Sequence, residues 1–124
     1  MVEKIEIKEP NNFDEKINDI VKNYSGKNIY VLIYGDWCPD CRNADPIINR
    51  HIEKKTNSVL VKASVGERPD ISKRYVNSLY KHHSRIRLRK IPTLIKWSAN
   101  QVNDKHLVEN ECENEKLLTE FFSD

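Results

Sequence analysis

The chain has 124 residues, 38% of them hydrophobic and 32% charged, enough for one domain with one core and too few for two ordinary ones. Its formal charge of +2 is too small to make nucleic acid or a membrane surface the expected partner, and no apolar run approaches bilayer-spanning length. The opening stretch MVEKIEIKEP has no apolar signal core, so the expected compartment is cytoplasmic, where a disulfide is more often catalytic than structural.

Val2 to Ile7 alternates apolar and charged residues and predicts a half-buried strand. Pro10 and Asn11 break it. Phe13, Ile17, Ile20, Val21 and Tyr24 then recur at helical spacing, with Asn11 or Asn12 as the expected cap and Gly26 as the end. NIYVLIY, from Asn28, is a continuous apolar and β-branched run, the mark of a strand covered on both faces. GDWCPDCRNADP follows directly, and Ala44, Ile47, Ile48 and Ile52 mark one face of a helix that Pro46 is expected to kink.

Val59 to Val65 predicts another strand, and Asp70 the cap of a helix carrying Ile71, Tyr75 and Leu79. Thr93 to Trp97 and His106 to Glu111 predict two strands joined by the polar turn SANQVND. Leu117, Leu118, Phe121 and Phe122 form the stripe of a last helix. No repeat, low-complexity block or linker divides the chain, so residues 1–124 are read as a single domain. The order βαβαβαββα predicts an α/β sandwich: a central mixed sheet, mainly parallel, with helices on both faces and a closing antiparallel hairpin.

Cys38 and Cys41 fall where the central strand is expected to pass into a helix. There the unpaired N–H groups and the positive end of the dipole favour a thiolate. Pro39 suits the first helical position, where its missing N–H costs nothing. The spacing puts both sulfurs within bonding reach on one turn. Cys38, at the expected exposed mouth, is the candidate nucleophile, and Cys41, deeper, the candidate resolving thiol. Trp37 is placed to shield the turn from water. A structural zinc site would need a second ligand pair, and Cys112, His82 and His83 show no paired spacing, so no metal and no bound cofactor are expected. Cys112 has no partner at motif spacing and is read as an inert thiol near the last strand.

Taken together, the strand–turn–helix context, WCPDC and the later KIPTL resemble the thioredoxin superfamily. That resemblance implies the three-layer thioredoxin-like sandwich and a cis bond before Pro92. It also implies a substrate-pairing segment at Ile91 and Pro92, opposite the dithiol. More narrowly, WCPDC from Trp37, VGERP from Val65, IPTLIKW from Ile91 and LVENECENEKLLTEFFSD from Leu107 resemble the thioredoxin domain-containing protein 17 family, also called thioredoxin-related protein of 14 kDa. This implies a cytosolic disulfide reductase of cell redox homeostasis, recharged by thioredoxin reductase with NADPH as ultimate donor. Small, peptide and particular regulatory protein disulfides would be its substrates, and a monomer is expected.

The sequence departs from that pattern in three places. The strand enters the cysteine turn through only YGD, where animal members carry a longer Gly-rich insertion. Thioredoxins place a buried aspartate six positions before the first cysteine, and here that position is Leu32. Another base must then take the Cys41 proton, with Asp40, Asp36 or water as candidates; Asp40 is equally a candidate for tuning thiol acidity. The third departure is DISKRYVNSLYKHHSRIRLRK, whose basic end, Lys81 to Lys90, leads into Ile91-Pro92. That end is read first as a solvated face and second as a source of cations beside the dithiol.

Two other functions compete. A glutathione-fed glutaredoxin would usually show a Gly-Gly turn after the strand that follows Pro92, and SANQVNDK has none. A thioredoxin-like adaptor without turnover would not need both cysteines beside an intact IPT.

Overall fold

The computed structural model describes residues 2–66, 78–98 and 105–123. Among these, five strands form one sheet: β1 (Glu3–Ile7), β2 (Asn28–Tyr34), β3 (Ser58–Ser64), β4 (Thr93–Trp97) and β5 (Lys105–Val108). Their spatial order is β1-β3-β2-β4-β5. β1 and β2 both run parallel to β3, whereas β4 is antiparallel to β2 and β5 to β4. The sheet is therefore mixed, as the alternating pattern and closing hairpin predict.

The period of two along β2 divides the core. Ile29, Val31 and Ile33 join Phe13, Ile17 and Ile20 of helix α1 (Phe13–Asn23) on one face, with Tyr80 of the short helix α3 (Ser78–Lys81). Tyr30, Leu32 and Tyr34 point the other way. They meet Ala44, Ile48 and Ile52 of α2 (Pro39–Glu53) and Leu118 and Phe121 of α4 (Glu115–Phe121). Three layers result. Each fully buried Ile, Leu or Phe contributes about 1.5–3 kcal/mol of transfer free energy, so burying both faces of β2 fixes the centre of the sheet.

Three sequence expectations change. Asn12 occupies the cap position of α1, but its side chain makes no capping bond. Pro10–Asn12 already form a 3-10 turn that leads into the helix, which leaves Asn12 at φ −95°, ψ 2° instead of the extended conformation a side-chain cap needs. The last strand stops at Val108, not Glu111. Glu109 turns to φ 55° and donates its N–H to Pro92 O at 2.7 Å, while the Glu111 carboxylate takes the Val108 N–H at 2.8 Å. A 3-10 turn over Glu109–Glu113 follows. The helix expected from Asp70 falls largely outside the described residues; its end, α3, leaves Leu79 half exposed instead of in an apolar stripe.

Candidate active site

The cysteine turn begins where β2 ends. Cys38 donates its N–H to Gly35 O at 3.1 Å and stays extended (φ −89°, ψ 115°), which makes it the N-cap of α2 with Pro39 as first helical residue. Its own side chain does the capping: Cys38 Sγ accepts the Cys41 backbone N–H at 3.3 Å. A free helix N–H and the positive end of a 15-residue helix thus face this sulfur. Cys38, Cys41 and Cys112 are all free thiols.

Cys38 is not at an exposed mouth. It is 6% exposed and Cys41 5%, so depth does not separate them. The cover comes from Trp37 and Ile91, half-buried residues packed on the cluster that holds both sulfurs. Trp37 is pinned from two sides. Its Nε1–H donates to Gly66 O at 3.1 Å, and its ring lies so close over Gly35 that a Cβ there would sit 3.0 Å from Cε2. Pro39 and Asp40 are exposed on the first turn of α2.

The Ile91–Pro92 bond is cis. The Thr93 hydroxyl donates to Lys90 O at 2.6 Å, and Pro92 O accepts the Glu109 N–H. Beneath this segment lies Cys112, 0% exposed, whose S–H reaches Leu107 O at 3.4 Å and Pro92 O at 3.7 Å. Burial pushes the Cys112 thiol up to about 12, so it remains neutral.

Cys41 is also held as a neutral thiol. Burial pushes it far up; a hydrogen bond with Cys38 and the charges of Cys38 and Cys112 act in the same direction, while a backbone bond from Gly35 opposes them. Behind it opens a cavity of about 290 Å³ lined by Leu32, Asp36, Arg42, Asp45 and Lys62 as well as Cys41 itself. Leu32 is buried there, with Lys62 its direct neighbour in register on β3. Of the two carboxylates the sequence offered as bases, Asp36 reaches this lining and Asp40 does not. Sequence reasoning missed Asp45, which pairs with Lys62 at 3.0 Å. The signal was present, because Asp45 follows Cys41 by four residues and so shares its helix face.

The basic stretch divides. His83 bonds Asp14 at 2.7 Å, and the Arg85 guanidinium stacks 3.8 Å over Trp97 and donates to Ser98 O, so both are structural. Arg87, Arg89 and Lys90 stay exposed next to Ile91, with Lys90 3.7 Å from Glu109. Among the described residues, no three His, Cys, Asp or Glu side chains are grouped to hold a metal ion.

A five-stranded mixed sheet between helices, with a dithiol at the β2–α2 junction, defines a thioredoxin-fold protein. Solved thioredoxins share it. Spinach chloroplast thioredoxin F superposes with TM-score 0.66 at 16% identity, covering 98% of this chain and 91% of that one. A thioredoxin f2 solved as a complex with ferredoxin:thioredoxin reductase gives TM-score 0.65 at 20% identity, covering 98% and 94%. Residues 6–124 match the family model described as thioredoxin domain-containing protein 17-like, thioredoxin domain, and the chain belongs to that family. Mouse Thioredoxin domain-containing protein 17 is 28% identical over 118 residues, 89% of each chain. The Arabidopsis thaliana thioredoxin-like protein Clot is 34% identical over 70 residues, 56% of this chain and 51% of that protein. Membership gives the chain a thiol-redox role of the thiol–disulfide oxidoreductase kind.

Proposed function

We propose that the protein is a cytoplasmic dithiol–disulfide reductase in which Cys38 attacks a substrate disulfide and Cys41 resolves the mixed disulfide. The observation that carries this reading is the asymmetry of the two sulfurs. Cys38 Sγ receives a backbone N–H at the start of α2, whereas Cys41 is held protonated by burial. The sulfur that faces the helix N–H attacks, and the one kept as a thiol waits. Trp37, Pro39, Ile91 and Pro92 form the surface against which a small, peptide or protein disulfide would lie. Two electrons leave the dithiol, the substrate is released as two thiols, and Cys38–Cys41 becomes a disulfide.

That disulfide must then be reduced. We assign this to thioredoxin reductase drawing on NADPH, and the protein acts as a monomer with no bound cofactor. That a thioredoxin of the same fold forms a complex with ferredoxin:thioredoxin reductase supports a redox partner in general. NADPH oxidation with thioredoxin reductase, compared with glutathione and its reductase, is the test. Turnover only with thioredoxin reductase is expected. Turnover only with glutathione would make the protein glutaredoxin-like, and turnover with neither would leave an adaptor.

A further inference from the structure

We infer that Asp45, held in place by Lys62, is the base that takes the proton from Cys41 when Cys41 resolves the mixed disulfide. This rests on the dithiol reading above and names the residue that completes its second step.

Resolution needs a thiolate at Cys41, yet burial keeps that sulfur protonated at neutral pH. A nearby base must accept the proton as the sulfur attacks. β2 supplies none, since Leu32 fills the position beside Cys41. Tyr34, on the same cavity, is pushed to about 12 by burial and then by Glu6 and Asp36, so it is neutral and no proton acceptor. Arg42 and Lys62 are cations, and the Cys38 and Cys112 sulfurs are the remaining ionisable neighbours of Cys41.

Two carboxylates remain on the cavity, Asp36 and Asp45. Asp36 lies in the exposed turn before α2. Asp45 lies one helical turn beyond Cys41 on the same face, half-buried, with both oxygens anchored. Lys62 Nζ is 3.0 Å from Oδ1, and Asn49 Nδ2 donates to Oδ2 at 3.1 Å. Lys62 is itself steadied 4.8 Å over the Tyr34 ring. The cavity, about 290 Å³, has room for bridging waters at about 30 Å³ each.

The charges balance through the step. The proton passes from Cys41 Sγ through water to the Asp45 carboxylate, and the negative charge moves to sulfur. Lys62 faces that charge before and after. The Cys41 thiolate then attacks Cys38 Sγ, the Cys38–substrate bond breaks, and the second substrate thiol leaves as an anion. Asp45 returns its proton to water. Lys62 is a positioning residue that holds the carboxylate in place on the cavity.

The test uses the reduced protein and 5,5′-dithiobis(2-nitrobenzoate), rapidly mixed so that the two released thionitrobenzoates report attack and resolution as separate phases. Asp45→Asn is expected to leave the first phase within about twofold and slow the second by about 10- to 100-fold near pH 7, at or below the usual range for a general base. The gap should narrow as pH rises and hydroxide replaces the carboxylate. Asp45→Glu or added acetate should restore the second phase, which a packing defect would not allow, and Lys62→Met should slow it less. An unchanged second phase in Asp45→Asn, equal slowing of both phases, or failure of both rescues would overturn the assignment. If the unsubstituted protein itself releases no second equivalent, the dithiol reading fails; otherwise only the role of Asp45 does.

Discussion

Cys41 and Cys112 are buried thiols on the same face of the sheet, in one cluster, and both are pushed upward by burial. Their surroundings differ. Cys41 backs onto a cavity that carries Asp45 and Lys62 and stands one turn from a capping sulfur. Cys112 is enclosed, with its S–H reaching the Leu107 and Pro92 carbonyl oxygens. On the proposed reading, a buried cysteine is made reactive by what reaches it, a partner sulfur and an outlet for its proton, and burial alone makes it inert. Cys112 has a different use, as a small side chain that packs beneath the Pro92 segment.

The largest expected effect comes from removing the attacking sulfur. Cys38→Ser should reduce disulfide turnover to the uncatalysed background in the coupled NADPH assay; turnover supported by Cys41 and Cys112 would erase the contrast between them. Cys112→Ala should keep turnover within about twofold and lower stability by roughly 1 kcal/mol through lost packing, read by urea denaturation of the reduced protein. The same variant sharpens the comparison through pH. The folded value of Cys112, about 12, lies above its ordinary 9.0, so the unfolded chain loses the proton first. Its stabilisation is full below pH 9 and is lost as pH rises from there toward 12. Cys41 acts with the same sign, so Cys112→Ala should make the alkaline fall shallower without abolishing it.

A smaller effect concerns the rim. If Arg87, Arg89 and Lys90 attract substrate, attack on an anionic disulfide should slow with added salt more than attack on a neutral one, since screening sets in over about 8–10 Å. Equal slopes would reduce them to a solvated face. The smallest effect lies far from either thiol, where Glu115 joins α4 to α2 through His51 and Arg50. The hydrogen bonds from His51 and then Arg50 lower the Glu115 carboxyl below its ordinary 4.5. That stabilisation is present above pH 4.5 and is lost as pH falls through the lowered value. Glu115→Gln should therefore cost a little melting temperature at pH 7 and nothing in strong acid, with turnover unaltered.

What the sequence reveals follows from how far apart the interacting residues are in the chain. β2 is legible because its run is continuous, and the two sides of the core because the runs in α1 and α2 keep a local period. The dithiol is legible because strand, cysteines and Pro39 are contiguous. The burial of Cys38 is not, because Ile91 and the Gly66 carbonyl that pins Trp37 come from distant segments. Nor is Lys62 legible. Only the β2–β3 register sets it beside Leu32, and a one-residue slip would turn it to the other face. Asp45 was within reach of an i, i+4 reading from Cys41, but an acidic residue on a helix surface does not stand out from its solvated neighbours until its partner, Lys62, is known. The end of β5 depends on Pro92 O taking the Glu109 N–H, a contact across 17 residues that no local pattern contains.

The division of labour among the cysteines is tested most directly by mass spectrometry of Cys41→Ser after exposure to a disulfide-bonded peptide. One adduct on Cys38 that persists until a reductant is added, with Cys112 unmodified, is the predicted result. An adduct on Cys112, or release of the peptide at the rate of the unsubstituted protein, would contradict it.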